Sequence, residues 1–303
     1  MKRSNNKILF IVLIVLVGGF VLTRVFRAPS LERNIDETLL TLDTSKVRGI
    51  HISPAIQTQK EIRLIRSGND WQLQQDKRNA RAEMRQVKTA LGSLAAIKAD
   101  RVLTRKKEKW ASYNVDTAGT RVKIVLGQND LKEFWVGKMN GGGSSIRLED
   151  ENDVYETRAP LEGNFNKNFN EWRDKTFLKV QPENISKITF QYPGDSSFVL
   201  IQSANKWQID NVKADSSNVQ TYLNRFRSRF LQDFDDDFTP SEEASYTVTL
   251  DIRSTAPVAI KAWQVQKDRW VLNSSQQQDV YFSSADPSVI RDLFVGKSSF
   301  VSR

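Results

Sequence analysis

The sequence repeats itself, and that repetition limits what the chain can fold into more than any other feature. Shifted by 138 positions, Asp36 falls on Asp174, Thr38 on Thr176, Leu40 on Leu178, Val47 on Ile185, Ile50 on Ile188 and Ile52 on Phe190. At a shift of 136, Ile62, Leu64, Asn69, Trp71 and Leu73 fall on Phe198, Leu200, Asn205, Trp207 and Ile209. At 126, Val122, Ile124 and Asp153-Val154-Tyr155 fall on Val248, Leu250 and Asp279-Val280-Tyr281. Self-similarity of this kind marks a repeated structural unit. Two copies are therefore expected, residues 38–175 and 176–303.

Each copy reads locally in the same order. Val47-Ile50-Ile52, Ile62-Leu64 and Trp71-Gln72-Leu73 alternate apolar and polar residues around Gly68-Asn69-Asp70, a strand and hairpin pattern. Met84, Val87, Leu91 and Leu94 then recur at helical spacing, answered in the second copy by Val219, Tyr222, Leu223, Phe226 and Phe230. A second strand group follows, over Arg121–Leu126, Phe134–Val136 and Ile146–Tyr155 in the first copy and from Tyr246 through Trp263 and Trp270 to Tyr281 in the second. A short apolar helix closes each copy, at Phe165-Phe169-Trp172 and at Val289-Ile290-Leu293-Phe294. The fold class expected is α+β: two tandem antiparallel-sheet-plus-helix units. The recurring Trp and Tyr residues are read as shared core packing rather than as a ligand platform.

Ahead of the copies, Lys2, Arg3 and Lys7 precede an apolar run from Ile8 to Phe26 in which Arg24 is the only charge. As a helix this run would extend roughly 28 Å, near the ~30 Å of a bilayer's hydrocarbon core. The expectation is a single N-terminal transmembrane helix: residues 1–27 as cytoplasmic tip and signal-anchor, and 28–37 as a juxtamembrane linker. The basic flank then places the N-terminus inside and the bulk outside the bacterial inner membrane, as a periplasmic domain. A cleaved signal peptide is the competing reading. The run's continuation past Gly19, the lack of Ala-x-Ala and the lack of cysteine weigh against it.

The net charge of +9 invites a nucleic-acid reading, but Lys2, Arg3, Lys7, Arg24 and Arg27 carry five of those charges. No nucleic-acid partner is expected. What remains is uneven. Residues 76–109 hold eleven Lys or Arg against Asp76, Glu83, Asp100 and Glu108, whereas Asp233, Asp235, Asp236, Asp237, Glu242 and Glu243 form an acidic block with no basic residue between. Such blocks are most often solvated faces. The acidic run lacks the alternating spacing of a calcium loop. Within the basic block, Arg101, Arg105, Lys106, Lys107 and Lys109 are the candidate partner contact.

Chemistry is hard to place on this chain. With no cysteine and one histidine, thiolate catalysis, sulfur-ligated zinc and paired-histidine metal sites are excluded. His51 sits between Ile50 and Ile52, and its repeat counterpart is Thr189, so it reads as solvent-facing strand scaffold. No nucleophile elbow occurs, and Gly296-Lys297-Ser298 lacks the upstream glycine of a phosphate loop. Catalytic, cofactor-binding and metal residues are accordingly expected to be none, with a carboxylate-dependent hydrolase as the one enzymatic reading left open.

The duplicated Val-x-x-Ile-x-Ile opening, the Trp-x-Leu hairpin, Tyr113-Asn-Val-Asp116, Val154-Tyr155 and Trp172-Arg173-Asp174-Lys175 together resemble the bacterial family called domain of unknown function 4340. In that family a Tyr-Gly-Leu-Asp-like element and an Arg-Asp-Lys element recur; here Asn114 and Val115 replace the Gly and Leu. The resemblance implies a single N-terminal anchor and a gene neighbourhood shared with an ABC transporter of the gliding-associated type. The expected function is a non-enzymatic, membrane-anchored extracytoplasmic accessory subunit of such a transporter. Expected partners are the permease, the ATPase and the large extracytoplasmic subunit, together with the lipid bilayer through the N-terminal helix. The second reading is a free-standing cell-envelope binding module for a polymer or lipid.

Overall fold

The computed structural model describes residues 12–18, 37–57, 60–127, 130–141, 143–204, 206–210 and 212–301. The chain divides into two compact units, residues 1–174 and 175–303.

In unit 1 the strands are β1 (Glu37–Thr41), β2 (Gly49–Ser53), β3 (Ile62–Ser67), β4 (Asp70–Gln75) and β5 (Arg78–Arg81), then β6 (Ala96–Thr104), β7 (Thr120–Val125), β8 (Leu131–Asn140), β9 (Gly143–Leu148) and β10 (Val154–Thr157). The helices are α1 (residues 12–18), α2 (Met84–Ala95), α3 (Trp110–Tyr113), α4 (Leu161–Phe165) and α5 (Phe169–Trp172). The strands form one ten-stranded sheet in the order β1-β6-β10-β9-β8-β7-β2-β3-β4-β5. Neighbouring strands in it run antiparallel. Alternation puts Ile50, Ile52, Ile62, Leu64, Leu73, Val122, Ile124, Phe134 and Ile146 on one face, all fully buried. Helix α2 covers that face with Val87, Ala90 and Leu94. The short helices α4 and α5 complete the lid with Leu161, Phe165, Phe169 and Trp172.

Unit 2 holds β11 (Thr176–Leu178), β12 (Ile185–Gln191), β13 (Phe198–Ser203), β14 (Lys206–Ile209) and β15 (Val212–Lys213), helix α6 (Ser216–Asn224), β16 (Arg229–Phe230), β17 (Tyr246–Ile252), β18 (Val258–Gln266), β19 (Arg269–Ser274), β20 (Tyr281–Ser284) and helix α7 (Pro287–Leu293). Its eight-stranded sheet runs β15-β14-β13-β12-β17-β18-β19-β20, while β11 and β16 pair separately. The order is that of unit 1 from β5 to β10, strand for strand. Ile188, Phe190, Leu200, Val248, Leu250, Ile260, Leu272 and Phe282 line the inner face, against Val219, Tyr222, Leu223, Leu293 and Phe300. Asp215 caps α6 by accepting from the backbone N–H groups of Ser217 and Asn218, each at 2.9 Å.

Two expectations are corrected. Strand predominates in both units, so the protein is mainly antiparallel β rather than α+β; among the described residues the α-helices other than α2 and α6 run seven residues or fewer. The transmembrane anchor also fails. The described part of the run, residues 12–18, is helical. Among the described residues no helix is long and apolar enough to cross a membrane. This overturns the signal-anchor and, with it, the single-pass inner-membrane and periplasmic placement. The rest of the Ile8–Phe26 run and residues 28–36 lie outside the described residues.

His51 stands on the outer face of β2, between Arg63 on β3 and Lys123 on β7, and is half-buried rather than solvent-facing. Burial pulls its imidazole below the ordinary 6.5, with Glu61 opposing and the two cations assisting. A lowered native value means that the unfolded chain takes up the proton first as pH falls. The neutral ring's contribution is thus complete above 6.5 and is lost as pH drops through the native value. The variant His51→Thr, which installs the residue of the second copy, is expected to lose less urea resistance than the parent between about pH 7.5 and about pH 5. Equal losses in parent and variant would contradict this.

Candidate functional site

The five basic residues singled out in the sequence fall on β6 and on the connection from β6 to β7, which lies over the outer face of the unit 1 sheet. Arg101, within β6, is drawn into an ion pair with Glu156 of β10, and Arg105 pairs with Asp153 at 3.5 Å. Lys106, Lys107 and Lys109 project from a single 3₁₀ turn and are exposed. Lys107 lies over the Trp110 ring, with its Nζ 5.1 Å from the centroid. None of the three has a carboxylate partner among the described residues. The basic residues without a carboxylate partner therefore contract from five to three.

A buried cation holds this turn in place. Helix α3 follows the turn, and the side chain of Arg147 on β9, only 5% exposed, lies beneath it. Its Cζ is 3.9 Å from the Trp110 centroid and 5.8 Å from that of Trp135. The guanidinium is thus flanked by two indoles, whose faces attract a cation. Arg147 Nε donates to Val115 O at 3.0 Å and Nη1 to Leu148 O at 3.1 Å. Trp135 Nε1 donates to Glu149 Oε2 at 2.7 Å, and that carboxylate lies 3.6 Å from Arg147 Nη2. Burial lowers the guanidinium's pKa from its ordinary value, while Glu149 works in the opposite direction. Trp110 Nε1 fastens the helix to Asn152 O at 2.9 Å.

The turn after α3 explains the Tyr113–Asp116 element. Asn114 has φ 54° and ψ 41°. This is the left-handed region that Gly and Asn enter most readily, which accounts for an Asn where the family pattern has Gly. Behind it, a Cβ on Gly137 would stand 1.9 Å from Tyr113 O, and one on Gly119 would stand 2.0 Å from Asn114 O. The chain is pressed directly onto β8. Asp116 accepts from Ala118 N at 3.0 Å and so closes the loop. The second element, Trp172–Lys175, ties the end of unit 1 to the edge of its sheet. Glu83 N donates to Trp172 O at 2.8 Å, and Asp174 N donates to Arg81 O at 2.9 Å. Asn168 and Glu171 form a reciprocal cap on α5.

In unit 2 the acidic block occupies the equivalent connection, from β16 to β17. Phe238 sits against Trp263 and Tyr281, with centroids 5.5 and 5.2 Å away, and Trp263 Nε1 donates to Glu242 O at 3.1 Å. Asp235 is spent on Arg269, at 2.6 Å. Asp237, Glu242 and Glu243 are exposed and form no ion pair among the described residues. The last two border an open groove of about 830 Å³ shared with Tyr192, Pro240, Lys261 and Trp263. The matching connections of the two units thus carry opposite charge, each over an aromatic base.

Sequence reasoning did not find Arg147. All but the last residue of β9 are buried, because the connection covers its second face, so no polar–apolar alternation marks this strand. Among the described residues no group of three or more His, Asp or Glu is placed to hold a metal ion.

No curated protein and no solved structure matches the chain. A family model does match, over residues 71–249, more than half of the chain, and this stretch contains both the Tyr113–Asp116 and the Trp172–Lys175 elements. With the left-handed Asn114 turn and the sheet-closing Arg-Asp-Lys segment in place, the chain belongs to the family described as Domain of unknown function (DUF4340).

Proposed function

We propose that the protein is a non-enzymatic accessory subunit of an ABC-transporter-type complex, contributing a docking surface rather than chemistry. The observation that carries this reading is the basic turn. Lys106, Lys107 and Lys109 are exposed without carboxylate partners among the described residues, on a base fixed by the Trp110–Arg147–Trp135 stack. Charges presented from a rigid base lose little conformational entropy on docking, and a cluster of one sign selects a partner of the other. The turn therefore suits an acidic face of a permease, an ATPase or a large transporter subunit.

The test is purification of the tagged full chain from its own cells in mild non-ionic detergent, with mass-spectrometric identification of what accompanies it. Transporter subunits are expected. The variant K106E/K107E/K109E is expected to keep its thermal midpoint and to recover on the order of tenfold less of them, since each exposed charge pair is worth about 0.2–1 kcal/mol and reversal replaces attraction by repulsion. A parent chain that comes down alone overturns the reading.

The open groove of about 830 Å³ on unit 2 favours a second reading, a free-standing module that binds a polymer or lipid. Ligand-dependent protection of Trp263 and Tyr192 in hydrogen exchange, with no transporter subunit recovered, would select it.

A further inference from the structure

We infer that the protein self-associates through its two unlike connections, the basic turn of one copy seating against the acidic loop of another. The structure places Lys106, Lys107 and Lys109 on the β6–β7 connection of unit 1, and Asp237, Glu242 and Glu243 on the β16–β17 connection of unit 2. The two connections occupy matching places in two sheets of matching strand order, and both lie over outer-face aromatics: Trp135 in one unit, Trp263 and Tyr281 in the other. All six charged side chains are exposed, and none is neutralised by an ion pair among the described residues. Their neighbours Arg101, Arg105 and Asp235, by contrast, are already paired.

The shapes agree with the charges. The lysines stand on an exposed turn, whereas Glu242 and Glu243 border a groove whose other walls include Tyr192, Pro240 and Trp263, with Lys261 as the one cation against those two carboxylates. A lysine entering that groove would bring its methylene stem along the rings and its ammonium to the carboxylates. One copy offers both halves of the contact, so the association is between unlike patches of identical chains. This inference stands apart from the transporter reading: it concerns the purified protein alone, and either can fail while the other holds.

Because the contact is electrostatic and exposed, it should be weak and screened, the Debye length falling from ~30 Å at 0.01 M salt to ~8 Å at 0.15 M. Sedimentation of the full chain, in density-matched non-ionic detergent to cover the apolar N-terminal run, is expected to show concentration-dependent dimers at low salt, growing into larger head-to-tail oligomers as concentration rises. Their dissociation constant is expected to rise at least about tenfold as salt is raised to physiological strength. The variants K106E/K107E/K109E and D237K/E242K/E243K should each sediment as monomers, and the chain carrying all six reversals should dimerise again. Mixing the two triple variants should also give dimers, since each then presents two patches of one sign. As a second readout, the cysteine-free background allows chains carrying Lys106→Cys to be mixed with chains carrying Glu242→Cys under mild oxidation. Cross-linked pairs should exceed those from either variant alone.

A parent chain that stays monomeric at low salt overturns the inference. So does a six-fold reversal that fails to restore the dimer in a chain whose thermal midpoint is unchanged. Dimers that persist in both triple variants assign the contact to some other surface and overturn it equally.

Discussion

Replacing Gly137 with alanine is expected to destabilise unit 1 by about 3 kcal/mol or more. A Cβ at position 137 would lie 1.9 Å from Tyr113 O and 2.9 Å from Asn114 O, and neither atom belongs to a side chain that can rotate away. The clash can be relieved only by lifting the α3 turn off β8, which pulls Trp110 from Arg147, or by bending β8 where its pairing with β9 already shifts register between Val136 and Met139. For a domain of this size each kcal/mol lowers the midpoint by roughly 2–4 °C, so a fall on the order of 10 °C should appear in the unit 1 transition. Gly92 gives the control. It is exposed in α2, with nothing within 4 Å of an added Cβ. Gly92→Ala should therefore stabilise by up to about 1 kcal/mol through helix propensity. Calorimetry that finds the two alanine variants alike would remove the close-packed turn from the account.

The same glycine shows why the repeat in the sequence is only partly a repeat in space. Register places Val136 against Thr120 and Ala262 against Tyr246, so the strand position of Gly137 in unit 1 belongs to Trp263 in unit 2. One unit fills the space over its outer face with backbone, the other with an indole. Trp135 and Trp263, which the sequence suggests as counterparts, share a face but stand two positions apart along it. The Tyr155–Tyr281 match slips as well: Tyr155 pairs with Ile146, whereas it is Phe282 that pairs with the corresponding Leu272. The slip arises because Ile146 and Tyr155 are nine positions apart whereas Leu272 and Phe282 are ten, the β19–β20 connection being one residue longer, and a fixed offset has no way to register that insertion.

What was legible was whatever obeyed one period on one buried face. The β3–β4 and β13–β14 residues alternate because their outer faces are the less buried ones, and Met84–Leu94 keeps a helical stripe because only one side of α2 is packed. Strand β6 was hidden inside a block read as solvated charge, although Ile97, Ala99, Val102 and Thr104 all point inward. The helix expected to run to Phe230 stops at Asn224; Phe230 sits on β16 and is half exposed. The N-terminal run misled for a different reason. Hydropathy reports how apolar a segment is and not whether it forms a spanning helix, and among the described residues no helix is long and apolar enough to cross a membrane. Of the five candidate site residues, Arg101 and Arg105 were indistinguishable from the lysines by charge. Only the positions of Glu156 and Asp153 separate them.

The second large effect is expected at Arg147. Truncation to alanine removes the donor to Val115 O and Leu148 O, leaves the faces of Trp110 and Trp135 without the cation between them, and opens a gap under α3. Leu148 O keeps the Glu151 N–H at 3.2 Å, so Val115 O is the acceptor left without a donor, at a cost of about 1–3 kcal/mol, and a desolvated cation–π contact contributes about 2 kcal/mol. Allowing for partial relaxation, Arg147→Ala should cost about 3–4 kcal/mol. Lysine keeps the charge but lacks both the planar face and the fork of donors, so Arg147→Lys should recover less than half of that loss. The indoles give a local readout. Tryptophan emission should shift to the red in the native state, and the amides of residues 105–119 should exchange faster while those of β2–β4 stay protected. If the basic turn acts as a docking surface, it acts because this stack fixes it, and loss of the stack should weaken partner recovery even though all three lysines remain. An Arg147→Ala chain with unchanged midpoint, emission and exchange would mean that the turn is held by β8 alone and that the buried cation has no part in presenting it.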